Sequence, residues 1–145
     1  MARTTADELL AAARARLHRL APDEAAKAAA TRGALLVDLR DADDRRREGV
    51  IPGALHVPLS VLPWRADPSS ESRNPRLGPL DLELVLFCND GYSSSLAAAT
   101  LQDLGFVRAT DLDGGFRAWR AAGLPVAETG PPPPGLPGSG EPDGD

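Results

Sequence analysis

Short apolar runs alternate with helical patterns along this chain, and this alternation constrains the fold more than any other feature of the sequence. Each run is nearly continuous in its apolar residues and ends in polar ones, which is typical of a strand buried on both faces of a parallel sheet. Because parallel strands are joined by crossover helices, the pattern predicts an α/β fold with a mainly parallel central sheet flanked by helices. The predicted strands cover residues 34–39, 55–58, 82–87 and, with a weaker pattern, 109–112.

Two helices are predicted before the first strand, and shorter ones between the strands. Residues 5–19 carry leucines at helical spacing, and Thr5 with Glu8 fits a capping box at the start. The second helix has Pro22 in its first turn and Gly33 at its end. Later helical patterns cover 42–48, 94–104 and 116–122, with a short turn at 61–64, and the Pro- and Ser-rich stretch 65–80 is predicted to be an exposed connection.

Composition divides the chain into an N-terminal amphipathic helix at 1–19, one domain at 20–127 and a tail at 128–145. The Pro- and Gly-rich acidic tail cannot bury enough apolar surface to offset its ordering entropy, so we predict that it is disordered. The net charge is -5, and the tail contributes four acidic residues and no base to it. The remaining domain is therefore close to neutral and has no cationic surplus for phosphates, which argues against a nucleic-acid partner.

Cysteine usage indicates a reducing compartment. Cys88 is the single cysteine of the chain, so no internal disulfide can form, and His18 and His56 do not complete a set of metal ligands. We therefore expect neither a metal nor another cofactor. The start of the chain lacks the apolar stretch of an export signal, and no run approaches the roughly 20 apolar residues that span a bilayer. These features predict a cytoplasmic protein without membrane contact.

Cys88 stands at the end of a buried strand, where a short polar loop leads directly into a helix. Gly91 permits a positive φ, so the loop can curl and aim backbone N–H groups at the sulfur, and the helix start adds partial positive charge. Both effects favour the thiolate. A lone cysteine is more often a small buried hydrophobe, but α/β proteins bind anions at this edge of the sheet, which favours a reactive Cys88. No histidine is placed as a base, so the loop amides are expected to act alone.

Aromatic residues and a glycine pair near the end of the chain are interpreted as packing features. Phe116 and Trp119 are expected to pack the last helix on the sheet. Trp64 is expected in the core as well, with the mouth of the Cys88 site as the alternative. The pair at 114–115 permits close backbone approach and is expected to flank the Cys88 loop.

Several short motifs occur in a fixed order around this loop, and together they resemble a single rhodanese-like domain over about residues 20–127. The resemblance implies a central five-stranded parallel sheet and a sulfurtransferase whose cysteine accepts a sulfane sulfur as a persulfide. It implies thiosulfate or a persulfide as the small-molecule donor, and a thiol or cyanide as the acceptor; a protein is a further candidate acceptor. The motifs are Asp38-Leu39-Arg40, residues 48–58 with Ile51-Pro52-Gly53-Ala54, the Cys88 loop, residues 112–119 with Asp113-Gly114-Gly115-Phe116, and Gly123-Leu124-Pro125-Val126.

The same resemblance implies Cys88 as the catalytic residue and the following loop as the place where sulfur is bound. The loop N–H groups are expected to cradle the bound sulfur, and at least one of the serines at 93–95 is expected to cap the helix. Asp38 and Arg40 match the family's Asp-x-Arg pair, for which substrate contact and a capping, tethering role are equally supported. The substrate-binding candidates are Asn89, Asp90, Gly91, Tyr92, Ser93, Ser94, Asp38 and Arg40.

The loop departs from the family pattern because it contains no arginine. Asn89 and Ser93 stand where many rhodanese loops carry one, and the loss of that contact to an anion disfavours thiosulfate and favours persulfides or protein-borne sulfur. Phosphatases that share this fold need a longer loop closed by an arginine, and Ser94 stands at that position, so phosphatase activity is not expected.

Two other functions are compatible with the sequence. One is a non-catalytic rhodanese-homology module that binds a partner or carries sulfur within a fixed complex. The other is a thiol sensor in which oxidation or alkylation of Cys88 is the signal. The cysteine at the first position of the loop favours the enzyme, and the missing arginine leaves the binding module as the alternative.

Overall fold

A parallel sheet of four strands forms the centre of the computed structural model, which describes residues 2–129. Its strands in chain order are β1 (Leu35–Asp38), β2 (Leu55–His56), β3 (Leu84–Phe87) and β4 (Ala109–Asp111). Side by side they follow the order β2-β1-β3-β4, and every pairing is parallel. Asp38 lies opposite Phe87 and Leu86 lies opposite Asp111, so β1, β3 and β4 end at the same edge. The predicted α/β fold with a parallel sheet is confirmed.

Helices begin and end close to the predicted positions. Thr5 forms the capping box with Glu8, and Gly33 ends the second helix with a φ of 72°, as expected for a left-handed C-cap. Short 3-10 turns lie at Leu59–Val61 and Pro75–Leu77. The helices are α1 (Ala6–Ala15), α2 (Pro22–Arg32), α3 (Ala42–Glu48), α4 (Leu62–Ala66), α5 (Ser93–Asp103) and α6 (Gly115–Ala121).

The expected fifth strand is absent from the described residues, and one bridge stands at its place. Leu20 pairs with Leu112 in parallel beside β4. The N–H of Leu20 donates to the Asp111 carbonyl at 3.1 Å, and the Asp113 N–H donates to the Leu20 carbonyl at 2.8 Å. The pairing cannot continue because Pro22, the first residue of α2, has no N–H to donate.

The core has two layers, one on each face of the sheet. Alternate side chains of β3 point to opposite faces, so Leu84 and Leu86 pack toward α4 and α5, whereas Val85 and Phe87 pack toward α2 and α6. Trp119 is buried in the second layer, as expected. Both faces of β3 are therefore closed to solvent, and the strand end alone reaches the surface.

Two expectations about the segment after β2 are wrong. Trp64 is 61% exposed rather than packed in the core, because α4 buries Leu62 and Ala66, four residues apart on its other face. The stretch 65–80 is not simply an exposed connection, since it completes α4 and its 3-10 turn buries Leu77 in the core.

The predicted disorder of the tail at 128–145 lies outside the described residues except at positions 128 and 129. No helix within the described part of the chain has the length and apolarity needed to cross a membrane.

Candidate active site

Cys88 follows β3 directly and lies between two acidic strand ends. Asp38 is the last residue of β1 and Asp111 the last of β4, and these strands flank β3 in the sheet. The cysteine is 9% exposed, and both aspartates are almost completely buried. The strand order thus concentrates one thiol and two buried carboxylates at one edge of the sheet.

The loop after Cys88 curls back on the sulfur at Gly91. This glycine has a φ of 88°, and its N–H donates to Cys88 Sγ at 3.1 Å. A Cβ atom at Gly91 would lie 2.9 Å from the Gly114 nitrogen and 3.2 Å from a guanidinium nitrogen of Arg19. Conformation and space both require glycine here, since a side chain would push the loop away from its neighbours.

The start of α6 holds the other side of the loop. The Phe116 N–H donates to the Cys88 carbonyl at 2.8 Å, and the Arg117 N–H donates to the Asn89 carbonyl at 3.1 Å. Gly115 makes this approach possible, because a Cβ at that position would lie 2.6 Å from the Cys88 carbonyl oxygen. The expectation that the glycine pair at 114–115 flanks the Cys88 loop is confirmed.

Hydrogen bonds make the Cys88 thiol more acidic than an ordinary cysteine. Burial alone raises the pKa of the thiol, but the hydroxyls of Ser93 and Ser94 and the backbone N–H groups of Ser94 and Gly91 outweigh burial and lower the pKa of Cys88. The sequence suggested that the loop amides act alone, and this expectation is wrong, because two hydroxyls also donate to the sulfur. A larger thiolate fraction near neutral pH follows.

Ser94 and Ser95 connect the thiol to Asp111. Their hydroxyls donate to Asp111 Oδ2 at 2.8 and 2.7 Å, and the Cys88 thiol donates to Ser94 Oγ at 3.4 Å. Ser94 has one proton, so stabilising the thiolate requires its hydroxyl to turn from Asp111 to the sulfur. Asp111 then keeps Ser95 and an arginine as donors. The expected capping role for one of these serines is wrong, since Tyr92 is the N-cap of α5 and no side chain caps the helix.

Arg19 and Arg14 reach the loop from the N-terminal part of the chain, and neither was predicted at the site. Arg19 binds the Asp111 carboxylate through Nε at 2.8 Å and through Nη2 at 3.2 Å. Both arginines also donate to the Gly91 carbonyl, Arg14 at 2.8 Å and Arg19 at 3.0 Å. An acid at the end of a buried strand was the only sequence signal for this cluster, and it does not identify the partners.

Asp38 and Arg40 form a buried ion pair beside the loop, and Arg45 Nε lies 3.4 Å from the same Asp38 carboxylate. Arg40 donates to Asp38 through Nε at 3.0 Å and Nη2 at 2.9 Å, and to the Gly49 carbonyl at 2.7 Å. Its guanidinium carbon lies 3.9 Å from the centre of the Phe116 ring. Asp38 also accepts from the Arg40 N–H at 3.0 Å. These contacts give Asp38 a tethering role, and they fix Arg40 against α6.

The remaining loop side chains point away from the sulfur or into solvent. The amide of Asn89 donates to Asp44 at 2.9 Å, and Asp90 accepts from Arg117 at 2.8 Å. Tyr92 is 66% exposed. Cys88 opens into a groove of about 1000 Å³ lined by Leu39, Arg40, Asp41, Asp44, Pro58, Leu59, Ser60, Cys88, Asn89, Asp90, Tyr92, Ser93 and Gly114.

The protein is an α/β domain with a parallel sheet, and one acidic thiol lies between a strand end and the start of a helix, where it faces a groove. These features define a class of thiol-bearing α/β domains. Within this class, the chain belongs to the rhodanese-like domain family, and the model of that family matches residues 21–122. Curated relatives include the thiosulfate sulfurtransferase GlpE of Pseudomonas savastanoi pv. phaseolicola, 39% identical over 69% of this chain and 85% of the relative. A sulfurtransferase of Allochromatium vinosum is 36% identical over 66% of this chain and 80% of the relative.

Solved structures show the same fold. A protein of unknown function from Rhodopseudomonas palustris, described as a possible tyrosine phosphatase, has a TM-score of 0.79 at 31% identity and covers 87% of this chain and 98% of its own. The human single-domain sulfurtransferase TSTD1 has a TM-score of 0.59 at 27% identity and covers 71% of this chain and 95% of its own. The named curated relatives support sulfurtransferase activity at the level of the family.

Proposed function

We propose that this protein is a rhodanese-type sulfurtransferase in which Cys88 carries the transferred sulfur as a persulfide. The observation that carries the proposal is the geometry at Sγ, where hydroxyl and amide donors converge on the single thiol and lower its pKa. The family relationship agrees with this chemistry.

The first step loads the cysteine. The Cys88 thiolate attacks the outer sulfur of the donor, and the sulfur–sulfur bond of the donor breaks with its electron pair on the leaving group. The leaving group is sulfite from thiosulfate, or a thiolate from a persulfide. Cys88 then carries a persulfide, and no electron is gained or lost overall by the enzyme and substrates together.

The second step unloads it. Cyanide or a thiolate attacks the outer sulfur of the persulfide, and the Cys88 thiolate departs with its electron pair, which gives thiocyanate or a new persulfide. The donors that lower the pKa of the thiol also stabilise the departing thiolate. The loop N–H groups from Asn89 to Ser94 hold the outer sulfur between the two steps.

Asp38 and Arg40 have different roles in this proposal. The Asp38 carboxylate accepts three hydrogen bonds from Arg40 and holds the arginine side chain in place. Arg40 also lines the groove, and its Nη1 is buried without a hydrogen-bond partner among residues 2–129. Because this nitrogen is buried, we propose that it meets an anionic group of the substrate only when the side chains around it move aside.

The charges of the groove favour a persulfide over thiosulfate as donor. Three carboxylates line it, from Asp41, Asp44 and Asp90, against the single guanidinium of Arg40. Thiosulfate is a dianion and is repelled by such a surface more than a persulfide with one charge or none. Phosphatase chemistry is disfavoured for the same reason, and because no arginine lies in the loop between Cys88 and α5.

Intact-protein mass spectrometry of the reduced protein tests the proposal after exposure to thiosulfate or, separately, to cysteine persulfide. We expect a gain of one sulfur atom that cyanide reverses, larger with cysteine persulfide and absent from Cys88→Ser. Equal gains would overturn the donor preference. No gain from either donor, in protein shown by circular dichroism to be folded, would overturn the enzyme and leave a binding or sensing module.

A further inference from the structure

We propose that the N-terminal segment contributes Arg14 and Arg19 to the active site, and that Arg19 is a positioning residue that holds the hydrogen-bond donors of Cys88 in place, with Arg14 as its support. The inference rests on the proposed function only in taking Cys88 as the reactive thiol. The family match begins at residue 21, so both arginines lie outside the part of the chain that the family describes.

Arg14 and Arg19 fix Gly91, a loop residue whose N–H contacts the sulfur. Gly91 receives both guanidinium groups on its carbonyl, at 2.8 and 3.0 Å, while its own N–H donates to Cys88 Sγ. Gly91 is thus held at both of its peptide groups. Glycine is the most permissive residue in conformation, so its N–H needs such external restraint to remain directed at the sulfur.

Arg19 also fixes the hydroxyl donors. Its two-point contact holds Asp111, which is fully buried, and Asp111 in turn accepts from Ser94 and Ser95. Arg14 Nε donates to Ser95 Oγ at 3.1 Å, so the second arginine supports the same cluster. Without Arg19 the carboxylate would draw the Ser94 proton more strongly, and the sulfur would lose a donor.

The charge of Arg19 acts in the same direction as its geometry. Burial lowers the pKa of the Arg19 guanidinium, but the carboxylates of Asp111 and Asp113 and the Cys88 thiolate raise it further than burial lowers it. Charge interactions are reciprocal, so a cation that is stabilised by the thiolate also stabilises the thiolate.

The other charged groups around the loop have partners of their own. Asp90 is paired with Arg117 on α6, and Asp38 with Arg40 after β1. Asp44 on α3 accepts from Asn89 and is paired with Arg47. The charged groups that face the loop or pair with a group that does are Arg14, Arg19, Asp38, Arg40, Asp41, Asp44, Arg45, Asp90, Asp111, Asp113 and Arg117.

The segment is anchored without these two arginines, which makes them testable. Ala13 is the buried residue of α1, Leu17 packs on the core, and Leu20 pairs with Leu112. Arg16 forms an exposed ion pair with Asp103 on α5 at 2.6 Å and does not touch the loop. Arg16→Gln is therefore a matched control, on the same segment and with the same change of charge.

The test measures the rate at which iodoacetamide alkylates Cys88 as a function of pH, which requires no sulfur donor and so separates this inference from the proposed function. We expect the midpoint of the profile to move up by about one pH unit in Arg19→Gln, less in Arg14→Gln, and not at all in Arg16→Gln. Arg19→Lys keeps the charge, so its midpoint is expected to lie between those of the unaltered protein and Arg19→Gln.

Melting followed by circular dichroism shows which variants are folded at the temperature of the assay. If Arg19→Gln is unfolded because Asp111 is left unpaired, Arg19→Gln with Asp111→Asn is compared with Asp111→Asn alone. A smaller upward shift is then expected, because only the contact of Arg19 with the Gly91 carbonyl and its charge remain to be lost. An unchanged midpoint in folded Arg19→Gln, or an equal shift in Arg16→Gln, would reduce the segment to a structural support and overturn the proposal.

Discussion

Two buried aspartate–arginine pairs stand on either side of Cys88, and their chemistry is the same while their connections differ. In both, the guanidinium binds the carboxylate through Nε and Nη2, in Asp38–Arg40 at 3.0 and 2.9 Å and in Asp111–Arg19 at 2.8 and 3.2 Å. The first pair joins residues two positions apart, and the second joins residues 92 positions apart.

The local pair continues to Arg45, to backbone and to an aromatic ring, whereas the distant pair continues to the sulfur. Arg40 uses its remaining contacts on the Gly49 carbonyl and the Phe116 ring. Asp111 continues through Ser94 to Cys88, and Arg19 continues to Gly91. Identical ion pairs therefore stabilise the fold on one side and tune a thiol on the other, and what differs is the set of hydrogen bonds around each pair.

The largest expected effect on stability comes from Asp38→Asn. It leaves Arg40, whose side chain is 1% exposed, as a buried charge without its partner, which costs about 3–5 kcal/mol. Urea unfolding measures the loss. The alkylation midpoint of Cys88 is expected to stay unchanged, and a shifted midpoint in a folded variant would show that the two pairs are not separate in function.

A smaller loss of stability, about 2–3 kcal/mol, is expected for Asp111→Asn, because breaking a buried pair costs less when the remaining charge reaches water. Arg19 is 16% exposed and keeps Asp113 as a partner at 3.0 Å. Removal of the nearby carboxylate and release of the Ser94 proton both favour the thiolate, so the alkylation midpoint of Cys88 is expected to fall. A rise, or no change, would break the proposed connection from Asp111 to the sulfur.

Ser94→Ala and Ser95→Ala form a matched pair within the same cluster. Both side chains are fully buried and both donate to Asp111, so each change is expected to cost about 1–2 kcal/mol in urea unfolding. Of these two serines, Ser94 contacts Cys88 Sγ and Ser95 does not. The alkylation midpoint is therefore expected to rise in Ser94→Ala and to move less in Ser95→Ala, and equal shifts would contradict a direct role for the Ser94 hydroxyl.

The smallest effect is expected for Glu48→Gln, at an ion pair near the surface. Hydrogen bonding from Arg117 lowers the pKa of Glu48 against the opposing effect of burial, and Arg120 adds to it. A carboxylate with a lowered folded-state pKa stabilises the fold above its ordinary pKa and loses this contribution as the pH falls, so the variant is less stable at pH 7 by about 0.5 kcal/mol. Urea unfolding at pH 7 and at about pH 4 is expected to show the difference shrink with acid. A difference that does not shrink would place the effect in packing rather than charge.

The sequence predicted what short-range patterns control. The strands, the capping box at Thr5 and Glu8, and the positive φ at Gly91 follow from residues within a few positions of one another. Trp64 was misplaced because an α4 of five residues gives too short a pattern to tell its buried face from its exposed one.

The rest depends on contacts between distant parts of the chain. Arg14 and Arg19 come to the loop only because α1 packs on α5 and Leu20 pairs beside β4. An arginine on a predicted amphipathic helix has no local feature that distinguishes an active-site contact from a solvated surface. The fifth strand was also predicted wrongly for this reason. Leu20, which lies between α1 and α2, forms a single bridge with a distant residue, and no run of strand residues marks it in the sequence.

The pairing of Leu20 also bears on self-association. A strand edge with unpaired N–H and C=O groups can recruit a strand of another molecule, and β4 is such an edge. Leu20 covers the Asp111 carbonyl and the Asp113 N–H there. A protein shortened to begin at residue 21 would leave both groups unpaired. We therefore expect the shortened protein to associate with itself through β4. The N-terminal segment thus covers an edge of the sheet that would otherwise be open to another molecule.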